Sequence, residues 1–145
     1  MDAVVRHLRE RSDVDQSQLA IGGVSRGGIL SIAYAGMRPN TFRGAINFNG
    51  GWLGRGCPNH EIVNPSLFER GAAAGISTLW LHGSHDQYYR IGHCRGNYKR
   101  FLLAGGQGQF IAAAAGHALM FKPALWKNHL DLYMDGLAAA ELLDQ

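Results

Sequence analysis

The chain has 145 residues, 46% of them hydrophobic, and a formal net charge of +3. This length predicts one domain over residues 1–145, and the composition suits a packed core. The basic residues are scattered and are not interleaved with aromatic ones, which argues against a nucleic-acid partner. No apolar stretch is long enough to cross a bilayer and the first residues lack an apolar signal core, so we expect a cytoplasmic protein without a membrane partner.

In the first half of the chain, short apolar segments alternate with helical ones. Apolar residues at helical spacing predict a helix over residues 1–11, and the run LAIGGV (19–24) is typical of a buried strand. A helix of small residues follows from Gly27 and ends at Arg38-Pro39-Asn40. GAINFN (44–49) predicts the second strand, residues 50–66 an irregular loop, and residues 67–74 a helix that ends at Gly75.

The second half continues the alternation. STLWLHG (77–83) predicts the third strand, and a helix from about His93 to Ala104 ends at Gly105. QFIAAAA (109–115) is interpreted as the fourth strand because it lies between two helices, and an amphipathic terminal helix follows Pro123. This order predicts an α/β fold, a three-layer sandwich with a short, mostly parallel sheet of about four strands and helices on both faces.

A serine stands between glycines where the first strand gives way to a helix, in Gly23-Val24-Ser25-Arg26-Gly27. Such a sharp turn leaves no room for side chains two residues before and two residues after the serine. It also lifts the serine hydroxyl above the sheet. The backbone N–H of Arg26 then points at any oxyanion that forms beside Ser25. The alternative is a glycine-rich turn with a chance serine that binds a phosphate, although the Gly-Lys-Ser/Thr ending of a P-loop is absent.

A serine nucleophile needs a base, and the base needs an orienting acid. Active groups of parallel sheets collect at the carboxyl ends of the strands. Asp86 follows the third strand and His117 follows the fourth, so Ser25, Asp86 and His117 stand in the chain order of an α/β-hydrolase triad. Taken alone, Asp86 would be a turn residue and His117 a structural histidine. No carboxylate or thiolate set at ligand spacing accompanies the other histidines, so we expect no metal site.

Several stretches resemble the dienelactone-hydrolase-like branch of the α/β-hydrolase superfamily: GVSRGGILSIAYAG, GAINFNGGW, STLWLHGSHDQYY, NYKRFLLAGGQGQF and AGHAL. The resemblance runs from about Gln18 to Trp126 and covers the carboxyl-terminal half of the family's domain, a partial α/β-hydrolase fold. It implies ester hydrolysis without a cofactor, with Ser25 as nucleophile, His117 as base and then acid, and Asp86 orienting the imidazole. True dienelactone hydrolases carry a cysteine nucleophile, so the serine points to an esterase-like relative.

The chain departs from that family ahead of the serine. The family has four strands and a helix before the turn and a loop that supplies a second oxyanion donor, whereas one helix and one strand precede Ser25 here. We therefore expect a fragment, a truncated gene product, or a subunit completed by another copy. An unpaired apolar strand edge favours a homo-oligomer. Loss of one oxyanion donor costs about 10²–10³ in rate, so activity is expected to be weak.

The sequence thus predicts a serine hydrolase that cleaves a small-molecule ester through an acyl-enzyme, with Trp52 and Tyr88 as walls of the substrate site. Tyr89, next to Tyr88, is a further candidate wall residue. For Trp52, a packing role in a surface connection is the alternative, and for Tyr88 and Tyr89 a packing role in general. An alternative for the whole chain is a catalytically incomplete hydrolase half that acts as a binding or assembly module. Whether Cys57 and Cys94 form a disulfide is left open by the sequence.

Overall fold

The computed structural model describes residues 1–53 and 58–143 of the chain. It contains five helices and four strands within those residues. The helices are α1 (Asp2–Arg9), α2 (Arg26–Gly36), α3 (His60–Ala72), α4 (Ile91–Leu103) and α5 (Lys127–Leu143). The strands are β1 (Ala20–Val24), β2 (Gly44–Phe48), β3 (Ser77–Gly83) and β4 (Gln107–Ala113), and short 3₁₀ turns cover Gln16–Gln18, Leu119–Phe121 and Pro123–Leu125.

The four strands form one parallel sheet in the order β1-β2-β3-β4. Each strand neighbours the next one in the chain, and a helix connects each to its successor. Parallel strands require such crossovers, and the alternation of apolar and helical segments in the sequence therefore predicts the topology. The predicted α/β fold is confirmed, with all four strands parallel.

Both faces of the sheet are covered, as β3 shows by the alternation of its side chains. Trp80 is fully buried in a core that includes residues of α1, α2, α3 and α4. Leu79 and Leu81 point the other way and pack against Tyr133 and Leu137 of α5. The sheet therefore lies between two helical layers, and the polar groups at its carboxyl edge are held by a rigid core.

The terminal helix is fixed to the sheet by one tyrosine. The Tyr133 hydroxyl donates to the carbonyl oxygen of Ser77 at 2.7 Å and accepts from the backbone N–H of Ala45 at 3.1 Å. Burial raises the pKa of Tyr133 to about 12 because the phenolate is disfavoured away from water. Tyr133 thus links α5 to the amino ends of two strands.

Helix α3 begins at His60, seven residues before the predicted start at Leu67. The sequence predicts an irregular loop up to Ser66, and a proline within a helix normally interrupts its hydrogen bonding. In the structure Pro65 lies inside the helix, and the neighbouring Asn64 side chain donates to the carbonyl oxygen of His60 at 2.9 Å and of Trp52 at 2.5 Å. This side-chain bonding supports the first turns, so the predicted loop over residues 50–66 is wrong from His60 onward.

Strand β1 forms one edge of the described sheet, where it pairs with β2 alone. A largely apolar groove of about 470 Å³ lies over this edge and α2. Its lining includes Met1, Ile21, Leu30, Tyr34, Met37 and Leu67. Leu30 and Met37 are about half exposed. We refer to this surface as the β1 groove.

No helix in the described part of the chain is long and apolar enough to cross a membrane.

Candidate active site

The loops at the carboxyl ends of the strands are joined to one another by backbone hydrogen bonds that continue past the strands. These bonds run from N–H to carbonyl oxygen: Ser25 to Phe48 (2.8 Å), Asn49 to Leu81 (2.9 Å) and Ser84 to Ala113 (2.8 Å). Each loop therefore leaves the sheet at a position that its neighbour fixes. The residues that follow β1, β3 and β4 are brought to one edge of the sheet, as the sequence predicts.

Ser25 occupies the turn between β1 and α2 with φ 57° and ψ −126°. A non-glycine residue in this region is strained, and such strain is found where a side chain must be presented to a ligand. Although Ser25 is the N-cap of α2, its hydroxyl makes no capping hydrogen bond. Ser25 is half-buried and stands at the strand-to-helix turn for which the sequence predicts a nucleophile.

The glycines around Ser25 differ from the prediction in one respect. A Cβ atom at Gly23 would overlap the carbonyl group of Gly27, so the glycine at minus two is required. A Cβ atom at Gly27 would meet nothing within 4 Å. The prediction that the second residue after Ser25 has no room for a side chain is therefore wrong. The second crowded position is Gly28, where a Cβ atom would overlap Oδ1 of Asn47 and lie 3.0 Å from Cα of Gly50.

Asp86 and His117 are hydrogen-bonded, with 2.7 Å between Asp86 Oδ2 and His117 Nδ1. The Asp86 side chain is 1% exposed, and its Oδ1 atom accepts from the backbone N–H groups of Tyr88 at 2.8 Å and Tyr89 at 3.1 Å. With Nδ1 engaged by the carboxylate, Nε2 of the half-buried imidazole remains as the proton acceptor. The structure thus unites the predicted acid and base.

Asn49, at the end of β2, connects the loops that carry these two residues. Its Oδ1 accepts from the backbone N–H of Gly83 at 2.7 Å, and its Nδ2 donates to the carbonyl oxygen of His117 at 2.8 Å. The residue is fully buried with φ 46°, a conformation that asparagine tolerates better than most residues. The sequence analysis missed this role, and the available signal was an asparagine at a strand end before two glycines.

Ser25 and His117 line the same cavity, which has a volume of about 560 Å³. The described residues around it are Ser25, Arg26, Trp52, Leu53, Gln87, Tyr88, Tyr89 and His117. The polar neighbour of Ser25 Oγ is the Tyr89 hydroxyl at 3.4 Å, and no Ser25–His117 hydrogen bond occurs among the described residues. Ser25 and His117 therefore share one cavity without a direct hydrogen bond between them.

The remaining predicted site residues surround this cavity. Arg26 is the first residue of α2, and its guanidinium carbon lies 5.8 Å from the centre of the Trp52 ring. Tyr88 is 72% exposed, and its ring centre is 4.8 Å from that of His117. Arginine, indole and phenol groups thus form the walls beside the two reactive side chains. Residues 54–57 of the predicted substrate loop, with Cys57, lie outside the described residues.

The other histidines do not join this site. His82 is fully buried, stacks on Phe110 with 4.9 Å between ring centres, and has no hydrogen-bond partner for either ring nitrogen within the described chain. Burial lowers the pKa of His82 to about 3 because the imidazolium is disfavoured away from water. In residues 1–53 and 58–143, no three His, Cys, Asp or Glu side chains group as metal ligands would.

The sequence and the fold are similar to those of known proteins. The prolyl oligopeptidase family matches residues 1–53, which contain β1, Ser25 and α2. Among solved structures, Arabidopsis thaliana SOBER1 is 21% identical with a TM-score of 0.60 over 80% of this chain and 51% of its own. Esterase PE8 is 21% identical with a TM-score of 0.59 over 80% of this chain and 50% of its own. No protein of curated function matches the sequence.

A third similar structure is Porphyromonas gingivalis dipeptidyl peptidase 4, which is 12% identical with a TM-score of 0.68 over 95% of this chain and 22% of its own. The chain thus spans about half the length of SOBER1 and esterase PE8, and less of the peptidase. These likenesses define the fold: the chain has the α/β-hydrolase fold, in the partial form that the resemblance predicted. The assignment to the dienelactone-hydrolase-like branch stays a prediction.

Proposed function

We propose that the chain is a serine hydrolase that cleaves carboxylic ester bonds through an acyl-enzyme. The observation that carries the proposal is the placement of Ser25, at a strained strand-to-helix turn, in one cavity with a His117 that is bonded to the buried Asp86. The prolyl oligopeptidase family match and the esterase and peptidase among the similar structures support the hydrolase class.

In the proposed reaction Ser25 Oγ attacks the ester carbonyl carbon while Nε2 of His117 takes its proton. Asp86 holds the imidazole in the tautomer with a proton on Nδ1 and stabilises the imidazolium that forms. The backbone N–H of Arg26 donates to the oxyanion. The tetrahedral intermediate then expels the alkoxide, which takes the proton from His117, and a water molecule activated by the same histidine releases the acid.

The substrate is proposed to be a small-molecule ester that the cavity walls hold by stacking and charge. Trp52 and the exposed Tyr88 line the cavity, and the Arg26 guanidinium lies over the indole. No cofactor or metal takes part in this chemistry. The described chain provides one identified oxyanion donor, and a hydrolase with one donor fewer is slower by about 10²–10³.

Hydrolysis of a nitrophenyl ester of a short acid tests the proposal, with Ser25→Ala beside the wild type. The matched control is Ser31→Ala, because Ser31 lies on the same helix and its hydroxyl donates to the carbonyl oxygen of Gly27 instead of facing the cavity. We expect turnover that Ser25→Ala abolishes and that Ser31→Ala retains. Equal turnover by the wild type and Ser25→Ala would refute the proposal.

The β1 groove favours a second candidate function, a hydrolase half that serves as an assembly module. An apolar edge strand of a parallel sheet invites pairing with another chain, and the groove extends this apolar surface onto α2. The occupant we propose is a second copy of this chain, which would form a homo-oligomer. This candidate is independent of Ser25 reactivity, since the groove and the cavity are lined by different residues.

A further inference from the structure

The Tyr89 hydroxyl is a polar neighbour of the proposed nucleophile. The sequence indicates only a wall or packing role for Tyr89. Its hydroxyl lies 3.4 Å from Ser25 Oγ, although its side chain belongs to the loop that carries Asp86. The edge of its ring packs against His117, with 5.3 Å between ring centres and 70° between planes. One phenol therefore contacts both the group that would give up the proton and the group that would receive it.

The position of Tyr89 is fixed from both sides of its backbone. Its N–H donates to Asp86 Oδ1 at 3.1 Å, and its carbonyl oxygen accepts from the Cys94 thiol at 3.4 Å. The residue is 6% exposed, and its ring lies close to the backbone of Gly51, where a Cβ atom would be 3.5 Å from Cγ. A donor held in this way needs no reorganisation when charge develops beside it.

The hydroxyl itself is not committed to a strong hydrogen bond. Hydrogen bonds between oxygens span about 2.5–3.0 Å, so the 3.4 Å contact with Ser25 is a loose one. Among the described residues, Ser25 is the polar partner recorded for this hydroxyl. A nearly buried donor at the wall of a cavity, with spare capacity, is suited to an oxygen atom of the bound substrate.

We propose that Tyr89 is a catalytic residue that donates a hydrogen bond to the leaving-group oxygen of the ester; this role rests on the proposed function. The argument is positional: Tyr89 contacts the imidazole that protonates the leaving oxygen, whereas the Arg26 N–H is assigned to the carbonyl oxygen. Negative charge grows on the leaving oxygen as its bond to carbon breaks. A phenol beside His117 stabilises that charge before the proton arrives.

The balance of the acylation step is unchanged by this role. The bond between Ser25 Oγ and the carbonyl carbon forms, and the bond between that carbon and the leaving oxygen breaks. The Ser25 proton moves to His117 Nε2 and then to the leaving alkoxide, which departs as the alcohol. Tyr89 keeps its own proton throughout and shares it only as a hydrogen bond.

Tyr88 provides a matched control within the same loop. Its ring also contacts His117, at 4.8 Å between centres, and its backbone N–H also donates to Asp86 Oδ1. Its side chain is 72% exposed, and no hydrogen bond joins its hydroxyl to Ser25 in the described residues. Tyr88→Phe thus removes a phenol hydroxyl from the cavity wall without removing the proposed contact.

The experiment compares wild type, Tyr89→Phe and Tyr88→Phe on esters of one acid with alcohols that range from nitrophenol to methanol. A good leaving group needs little help, whereas a poor one depends on the hydrogen bond. We expect Tyr89→Phe to lower kcat/KM for the alkyl ester by about 10- to 100-fold and to change it little for the nitrophenyl ester. The change in kcat/KM that Tyr88→Phe causes, relative to the wild type, should be the same for all of these esters.

A loss in Tyr89→Phe that is equal for all esters, or no loss at all, would overturn the proposed role while leaving the hydrolase proposal intact. Absence of Ser25-dependent turnover in the wild type would overturn both, because Tyr89 acts only on a reacting ester. If the loss in kcat/KM grew for poorer leaving groups in both phenylalanine variants, the assignment would also be refuted. The effect would then come from the ring environment of His117 rather than from the Tyr89 hydroxyl.

Discussion

His117 Nδ1 lies 2.7 Å from Asp86 Oδ2, across 31 positions of the chain and between two neighbouring strand-end loops. The two loops are joined independently by the Asn49 side chain, which accepts from Gly83 N–H and donates to the carbonyl oxygen of His117. The buried Asp86 carboxylate also accepts from the backbone N–H groups of Tyr88 and Tyr89. This arrangement keeps one tautomer of the imidazole and directs its other nitrogen to the cavity.

Asp86→Asn should abolish most activity while it preserves the loop. The amide retains an oxygen for the Tyr88 and Tyr89 N–H groups, but it no longer holds a proton on Nδ1 of His117. We expect kcat to fall on the order of 10⁴-fold with unchanged circular dichroism. Asp131→Asn is the control, because that carboxylate pairs with Lys127 on the exposed face of α5. Wild-type activity in Asp86→Asn would contradict the triad.

Asn49→Ala should lower activity because it removes the link between the acid and base loops. Loss of the side chain leaves the buried Gly83 N–H without its partner, which costs about 1–3 kcal/mol in stability. Misplacement of His117 should reduce kcat by about 10- to 100-fold. Asn49 acts through His117 and is a positioning residue, so KM should change less than kcat.

Asn40→Ala is the control for that substitution. Asn40 also has a positive φ, 63°, but it is exposed and lies at the amino end of the strands, opposite the site loops. Both alanine variants lose the left-handed preference of asparagine, and we expect only Asn49→Ala to lose turnover. Equal losses of activity in the two variants would show that backbone strain, rather than the contact with His117, is responsible.

His82 should make the fold sensitive to acid. Burial lowers its pKa from 6.5 to about 3, so between these values the unfolded chain binds a proton that the folded chain excludes. The free energy of unfolding therefore falls as the pH decreases through this window, by up to about 1.4 kcal/mol per pH unit. Above pH 6.5 this contribution is constant.

His82→Phe isolates that effect, because phenylalanine can keep the stacking on Phe110 and neither ring nitrogen of His82 has a recorded partner to lose. Urea unfolding between pH 4 and 7 should give a shallower decline for the variant than for the wild type. Parallel curves for the two proteins would mean that other groups govern the acid sensitivity.

Leu30→Glu should dissociate the proposed homo-oligomer, since it places a charge in the β1 groove. The control is Leu102→Glu on α4, where the leucine has a similar exposure, 42% against 47%, but lies outside the groove. Light scattering should report an oligomer for the wild type and for Leu102→Glu, and a monomer for Leu30→Glu. A monomeric wild type at micromolar concentration would rule out the second copy as occupant.

Much of the fold could be predicted because parallel strands buried on both faces are short apolar runs between helices. Strand β3 matches its predicted range over Ser77–Gly83, and β4 was recognised from its place between helices despite its alanines. The start of α3 could not be predicted, because Pro65 normally marks a boundary and only the tertiary contacts of Asn64 reveal that the helix begins earlier.

The residues of the candidate site likewise include some that could be predicted from the sequence and some that could not. Ser25, Asp86 and His117 could be found from strand ends and chain order, since topology brings those ends together. Asn49 and Tyr89 could not, because their roles depend on distances between loops that the sequence does not encode locally. The crowding at Gly28 was likewise hidden, as it arises from Asn47 on the adjacent strand.

The central claim is that Ser25 is an activated nucleophile, and the mass of the intact protein after exposure to a fluorophosphonate tests it most directly. The account predicts one adduct on the wild type, none on Ser25→Ala, and a strongly slowed reaction for Asp86→Asn. A folded wild-type protein that remains unmodified, or an adduct that persists in Ser25→Ala, would contradict it.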